Sequence, residues 1–201
     1  MKHQKDKIIV LKVSKYSDSH LMVNGINQRG AKISAMAPAA LKSKKRFGGG
    51  VLEPTHFIEI QYQQAKQEGM LPVLMEAQII DSFEGLRTDY DKLNLSFYFL
   101  RLIELVAQED APDSQSLFSL LGHGLKALEK AKDFSALKKH FEIKFLYTQG
   151  MLELGGDLGG ILKKKFSDYV TFHPQYEDSP DYRKLKSSLE DYIGRVDLDP
   201  N

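Results

Sequence analysis

Five short runs rich in β-branched residues occupy the first eighty positions of this 201-residue chain: "KIIVLKV" (7 to 13), "HLMVNGI" (20 to 26), "AKISAMA" (31 to 37), "FIEIQY" (57 to 62) and "LPVLMEAQII" (71 to 80). Runs of this length and composition read as strands. "NQRG" at 27 to 30 supplies a turn between the second and third, and "KQEGM" around Gly69 one between the fourth and fifth. Five such strands suggest a small antiparallel barrel, curled on itself to hide its edges, as in the OB-fold. An open sheet or an SH3-like barrel gives a similar string, and periodicity alone does not choose.

After residue 80 the pattern changes to helices, so the fold class is α+β. Thr88 and Asp91 are placed as a capping box before "KLNLSFYFLRLIELVAQ", whose apolar residues lie nearly all round, as in a helix buried within a bundle. "SLFSLLGHGLKALEKA" (116 to 131) follows the breaker "EDAPDS". In "FSALKKHFEIKFLYTQGML" (134 to 152), Phe134, Leu137, Phe141, Phe145 and Leu152 form one stripe, and "GGDLGG" (155 to 160) is read as its end. Ser179 and Pro180 stand in the N-cap and first-turn positions of a last helix carrying Tyr182, Leu185, Leu189, Tyr192 and Ile193. The expected division is a nucleic-acid-binding barrel domain over 1–80 and a helical domain over 81–201.

A core is available at this length, and 42% hydrophobic with 27% charged residues is a folded, globular composition. There is no cysteine, which removes disulfides and thiolate metal sites and fits a reducing compartment. The apolar run near the N-terminus is too short for a signal peptide, and no later segment is long enough to cross a bilayer. A cytoplasmic, nucleoid-associated location is expected.

Much chemistry is missing. Six scattered histidines form no pair at ligand spacing, so neither a metal nor another cofactor is expected. "GGGVLEP" lacks the Lys and Ser/Thr of a phosphate-binding loop, and "GGDLGG" leads into "ILKKK". No nucleophile elbow or Cys/His arrangement is present. The chain reads as a non-enzyme.

The net charge of +1 hides an uneven distribution. Between Ser19 and Leu52 there is no acidic residue, while Arg29, Lys32, Lys42, Lys44, Lys45 and Arg46 are cationic. A solvated loop is the default reading of such a run. Here Phe47 follows directly, then Gly48, Gly49 and Gly50, which permit a close backbone approach. A basic groove beside aromatics on a barrel face is a common way to hold single strands, with charge tracking phosphates.

These segments also resemble a known family. "VLKVSKYSDSHLMV", "RGAKISAMAPAALKSKKRFGGGVLEP" and "EAQIIDSFEGLRTDYDKLNLSFYFLRLIELV" look like the bacterial recombination mediator RecO, in the same order and at similar spacing, over about residues 8 to 106. The most specific parts are "KKRFGGGVLEP" and "DSFEGLRTD". The resemblance implies an OB-fold followed by a helical domain. It implies binding of single- and double-stranded DNA, annealing of complementary strands, contact with the acidic tail of single-stranded-DNA-binding protein, and work with RecR to load the recombinase RecA. Carried over, Lys42, Lys44, Lys45 and Arg46 are phosphate contacts, with Arg29 and Lys32 extending the surface. Phe47 is open to base stacking or to packing under the loop, the commoner use of an aromatic beside glycines.

The chain departs from the family after residue 150. Many members carry a four-cysteine zinc insert there, whereas no cysteine follows "MLELGGDLGGILKKKF" here. Lys163, Lys164 and Lys165 offer either a second basic patch or a solvated helix start. For the partner tail, Tyr98, Arg101 and Lys138, with Lys139, Phe141 and Lys144, supply aromatic and cationic ingredients, although helical spacing assigns the aromatics to the core. The alternative reading is a protein-interaction adaptor, its barrel retained but weak on DNA and its helices docking the partner.

Overall fold

The computed structural model describes residues 3–65, 67, 69–109, 115–151, 159–166 and 180–197. The five expected strands are present as β1 (His3–Lys15), β2 (Leu21–Asn27), β3 (Lys32–Ala37), β4 (Phe57–Gln63) and β5 (Val73–Asp81). They close into a barrel in the order β1-β2-β3-β5-β4, all neighbours antiparallel except β3 and β5, which meet in parallel at Met36 and Val73. This is the OB-fold arrangement. The 27 to 30 turn forms because the Asn27 carboxamide oxygen accepts from the Arg29 and Ala31 amides, and Gly30 takes the left-handed conformation at φ 86°.

β1 explains how barrel and helices join. Ile8, Ile9, Val10 and Leu11 are all buried, a continuous run where a strand with one wet face would alternate. Ile8 and Val10 point into the barrel core. Ile9 and Leu11, with Ile26 of β2, point the other way into the core built by the helices. A register shift between Val10 and Lys12 marks a bulge, beyond which Lys12 pairs with Asn24 and its ammonium meets Glu104 at 3.9 Å.

Beyond a 3₁₀ turn (Glu84–Thr88), the helices are α2 (Tyr90–Val106), α3 (Gln115–Lys130), α4 (Phe134–Thr148), the short α5 (Gly159–Leu162) and α6 (Pro180–Asp197). A still shorter helix, α1 (Lys44–Phe47), lies in the β3–β4 connection. The cap of α2 is Asp89 rather than Thr88: its carboxylate accepts from the Asp91 and Lys92 amides, while the Thr88 hydroxyl donates to the Gly85 carbonyl in the preceding turn. α4 also ends earlier than "GGDLGG". Gly150, at φ 69°, turns the chain, and the Gly150 and Met151 amides donate back to Tyr147 and Leu146. Phe134, Leu137, Phe141 and Phe145 lie in or against the core as the stripe requires. Leu152, residues 155 to 158 and Ser179 fall outside the described residues. Tyr182, Leu189 and Ile193 of α6 pack on the helical core.

The helical core centres on Phe99 and Phe141, stacked at 3.8 Å between ring centroids and 5° between planes. Beside them His140 is 2% exposed, and neither ring nitrogen has a hydrogen-bond partner among the described residues. The backbone of Ile161 and Lys164 approaches the ring without reaching bonding geometry. Burial first, then the Lys144 charge, holds its pKa down at about 4. The fold therefore favours the neutral ring. Its contribution is fully present above the unfolded value of about 6.5 and is lost as pH falls from there toward 4, by at most about 3 kcal/mol. Thermal melts should show wild type losing more Tm than His140→Leu between about pH 7 and pH 4.5. Equal losses would remove this ring from the acid response.

Candidate nucleic-acid interface

The cationic run at 42 to 46 is not a free loop. Ser43 caps α1, its hydroxyl accepting from the Arg46 amide at 3.3 Å. Phe47, 6% exposed, plugs the barrel core, which settles its role as packing. Arg46 turns inward: its guanidinium donates to the Pro38 carbonyl at 2.9 Å and lies 5.3 Å from the Phe47 ring centre. Lys42, Lys44 and Lys45 are exposed, and no carboxylate among the described residues pairs with them. So the run divides into one cation that braces the segment and three presented to solvent. Two of the glycines have separate steric reasons. A Cβ at Gly48 would clash with the Lys44 carbonyl oxygen, and Gly50 holds the left-handed conformation at φ 70°.

The β1–β2 turn is fastened to this segment. The Leu41 amide donates to the Ser19 carbonyl, and the Ala39 amide to His20 Nδ1 at 3.2 Å. The same turn carries Tyr16, 57% exposed. The sequence reading assigned the aromatic role to Phe47 or to none. Tyr16 has the exposure that a stacking residue needs, and its only sequence signal was an aromatic beside the turn "SDSH".

Arg29 and Lys32 do not join this cluster. They lie at the start of β3 and the lysines beyond its end, about 17 Å apart along the strand. Between them runs the outer face of β2 and β3, where Asn24 stands opposite Ser34 and Met22 opposite Met36. Their neighbours Val23, Ala35 and Ala37 fill the barrel. The arrangement is a polar and thioether strip with cations at both ends and no acid in its own sequence.

Residues 1–83 match the family model described as recombination protein O N terminal. The DNA repair protein RecO of Syntrophus aciditrophicus is 34% identical over 141 residues, 70% of this chain and 53% of that protein. That of Clostridium kluyveri is 28% identical over 173 residues, covering 86% and 65%. That of Geobacter metallireducens is 30% identical over 150 residues, covering 75% and 59%. Residues 1–83 are a RecO N-terminal domain, and the similarity to RecO proteins runs on beyond it. It spans roughly half to two thirds of the length of these RecO relatives.

The two segments most characteristic of the RecO resemblance meet in space. Arg87, from "DSFEGLRTD", donates to His56 Nε2 at 2.9 Å and to the Ser82 carbonyl at 2.8 Å, and reaches Glu53, Pro54 and Thr55 at 3.3 to 3.4 Å. Accepting at Nε2 puts the His56 proton on Nδ1, which donates to the Val51 carbonyl at 3.3 Å. Burial lowers the His56 pKa, and the Arg87 charge acts in the same direction. Thr55, fully buried, is held at φ 78°, a conformation rare for a β-branched residue. Arg87 thus clamps the end of the basic segment onto the barrel–helix junction. Arg87→Ala should cost about 1.5–3 kcal/mol in urea unfolding, because charge-assisted bonds are lost and buried acceptors are left unpaired. A change below about 0.5 kcal/mol would show the clamp to be dispensable.

Two of the residues read as partner contacts, Tyr98 and Lys138, meet at Glu142. The Tyr98 hydroxyl donates to the Glu142 carboxylate at 2.6 Å, the Lys138 ammonium lies 3.8 Å from that carboxylate, and it stands 4.7 Å from the Tyr98 ring centre. Burial raises both the Glu142 and the Tyr98 pKa. Tyr98 and Glu142 form the polar link between α2 and α4, Lys138 is exposed beside them, and Arg101 stands exposed on α2. Lys163, Lys164 and Lys165 are exposed just beyond α5. No helix among the described residues is long and apolar enough to cross a membrane, and none of their His, Asp and Glu side chains cluster as metal ligands.

Proposed function

We propose that this chain is a non-enzymatic DNA-repair mediator that binds DNA through its barrel, anneals complementary strands and assists recombinase loading. The observation that carries the reading is the presentation of Lys42, Lys44 and Lys45, with no carboxylate partner among the described residues, by a segment that Ser43, Arg46, Phe47 and Arg87 hold in place. Fixed cations bind phosphates without first having to order the loop. Tyr16 at the same end offers a stacking surface, and the β2–β3 face leads toward Arg29 and Lys32. Single- and double-stranded DNA both present the phosphates such a surface takes. Contact with RecR and with the acidic tail of single-stranded-DNA-binding protein belongs to the same reading and rests on the family resemblance.

Fluorescence anisotropy of a labelled single-stranded oligonucleotide, titrated at low and moderate salt, tests it. Affinity should fall steeply with salt, with a logarithmic slope of about −0.7 per phosphate neutralised. Tyr16→Ala should weaken binding by about 1–3 kcal/mol with the salt slope kept, since stacking releases no counterions. Absence of binding at low salt would leave the basic segment a solvated face and favour the adaptor reading.

A further inference from the structure

The helical half contains a cationic groove that the barrel reading does not use. It has a volume of about 860 Å³ and is lined by seven lysines. Lys126 and Lys130 come from α3 with His123, Lys132 from the connection between α3 and α4, Lys144 from α4, and Lys163, Lys164 and Lys165 from the turn after α5. Lys126 and Lys144 are locally satisfied. Lys126 bridges Asp81 at 3.0 Å and Glu129 at 2.8 Å, and the Lys144 ammonium donates to the Leu162 carbonyl at 3.0 Å. Among the described residues no carboxylate pairs with Lys130, Lys163, Lys164 or Lys165. Like charges facing one concave space repel each other, and a bound anion relieves that repulsion.

We propose that this groove is a second nucleic-acid site, which takes the sugar–phosphate backbone of one single strand independently of the barrel segment. Its chemistry favours a phosphate chain over an acidic polypeptide. Every side chain with a permanent positive charge along it is a lysine, a point charge that can hold phosphate oxygens. The cations form rows. His123, Lys126 and Lys130 recur on one face of α3 over about 10 Å, and the three consecutive lysines lie beyond α5. A row suits a ligand with charge repeated along its length. A tail that anchors an apolar end needs apolar side chains to close around it, and only Ala127 and Phe166 among the lining residues are of that type, Phe166 being 7% exposed. With the barrel surface, the groove gives one chain two places to hold strands, which is what pairing two strands requires. It shares phosphate chemistry with the barrel reading but none of its residues, so either site stands if the other fails.

The test is a stoichiometric titration of the full chain at low salt with a labelled oligothymidylate of about eight nucleotides, short enough for one site. Wild type should bind two per chain. A groove variant (Lys130→Glu, Lys163→Glu, Lys164→Glu, Lys165→Glu) and a barrel variant (Lys42→Glu, Lys44→Glu, Lys45→Glu) should each bind one, and their combination none. One oligonucleotide per wild-type chain, lost only in the groove variant, would uphold the groove and sink the barrel reading. Two bound by the groove variant, or a single site lost only in the barrel variant, would overturn the proposal. Circular dichroism checks folding, and the four Lys→Gln changes stand in if the glutamates disturb it. A parallel titration uses a labelled polyglutamate peptide. Loss of that peptide by the groove variant, with both oligonucleotides retained, would also overturn the proposal and give the groove to an acidic polypeptide.

Discussion

Replacing Lys42, Lys44 and Lys45 together with glutamate is expected to weaken oligonucleotide binding at the barrel site about a hundredfold or more near 50 mM salt, equally for every base sequence. Phosphate contacts carry no base code, so the loss should not depend on composition. Removing three of them should also flatten the salt dependence by about two logarithmic units of slope. Arg46 is left out of the variant because its guanidinium is bonded to the Pro38 carbonyl. Changing it would mix loop damage with charge loss. The three exposed lysines contribute little to stability, so the melting temperature should hold. Affinity unchanged in a folded variant would show that the segment is not the binding surface.

The largest effect on stability is expected from Phe141→Ala, at about 3–5 kcal/mol. The side chain is fully buried, stacks on Phe99 and lies 6.0 Å from the Phe166 ring centre. The facing position on α3 is Gly124, where even a Cβ would come within 2.8 Å of the ring. That helix has given up its own side chain to admit the phenyl group, so little is nearby to fill the cavity. Against a total of about 5–15 kcal/mol, a large share of the folding free energy would go. Urea unfolding measures it: the midpoint should drop with the slope unchanged. A cost below about 1 kcal/mol would mean that the site collapses around the loss.

The strands were legible because each announces itself within a few residues: β-branched runs, Asn27 and Gly30 at one turn, Gly69 at another. The helical stripes were legible for the same reason. What the sequence did not disclose depends on which atoms meet across the fold. Arg46 sits among lysines in the chain, and only the position of the Pro38 carbonyl separates its role from theirs. Tyr16 is an ordinary aromatic until Leu41 and Ala39 are seen to fasten its turn to the basic segment. The lysine groove draws on three separate helical segments, and local charge counts registered only the consecutive triplet. Asp89 displaced Thr88 as a cap because Thr88 still belongs to the 3₁₀ turn, its hydroxyl directed back to Gly85, and the Asp89 carboxylate is the group that faces the Asp91 and Lys92 amides, a placement that spacing rules do not contain.

The outward-facing Ile9, Leu11 and Ile26 set a limit on how this molecule can be taken apart. Cutting after β5 would leave a barrel with its hydrogen-bonded ring whole but an oily patch where α2 and α3 had lain. Such a fragment invites self-association, and a basic protein that clumps retains oligonucleotides whether or not a specific surface exists. Binding measured on the isolated barrel would therefore overstate its share, which is why the strand count per molecule has to be read on the whole chain.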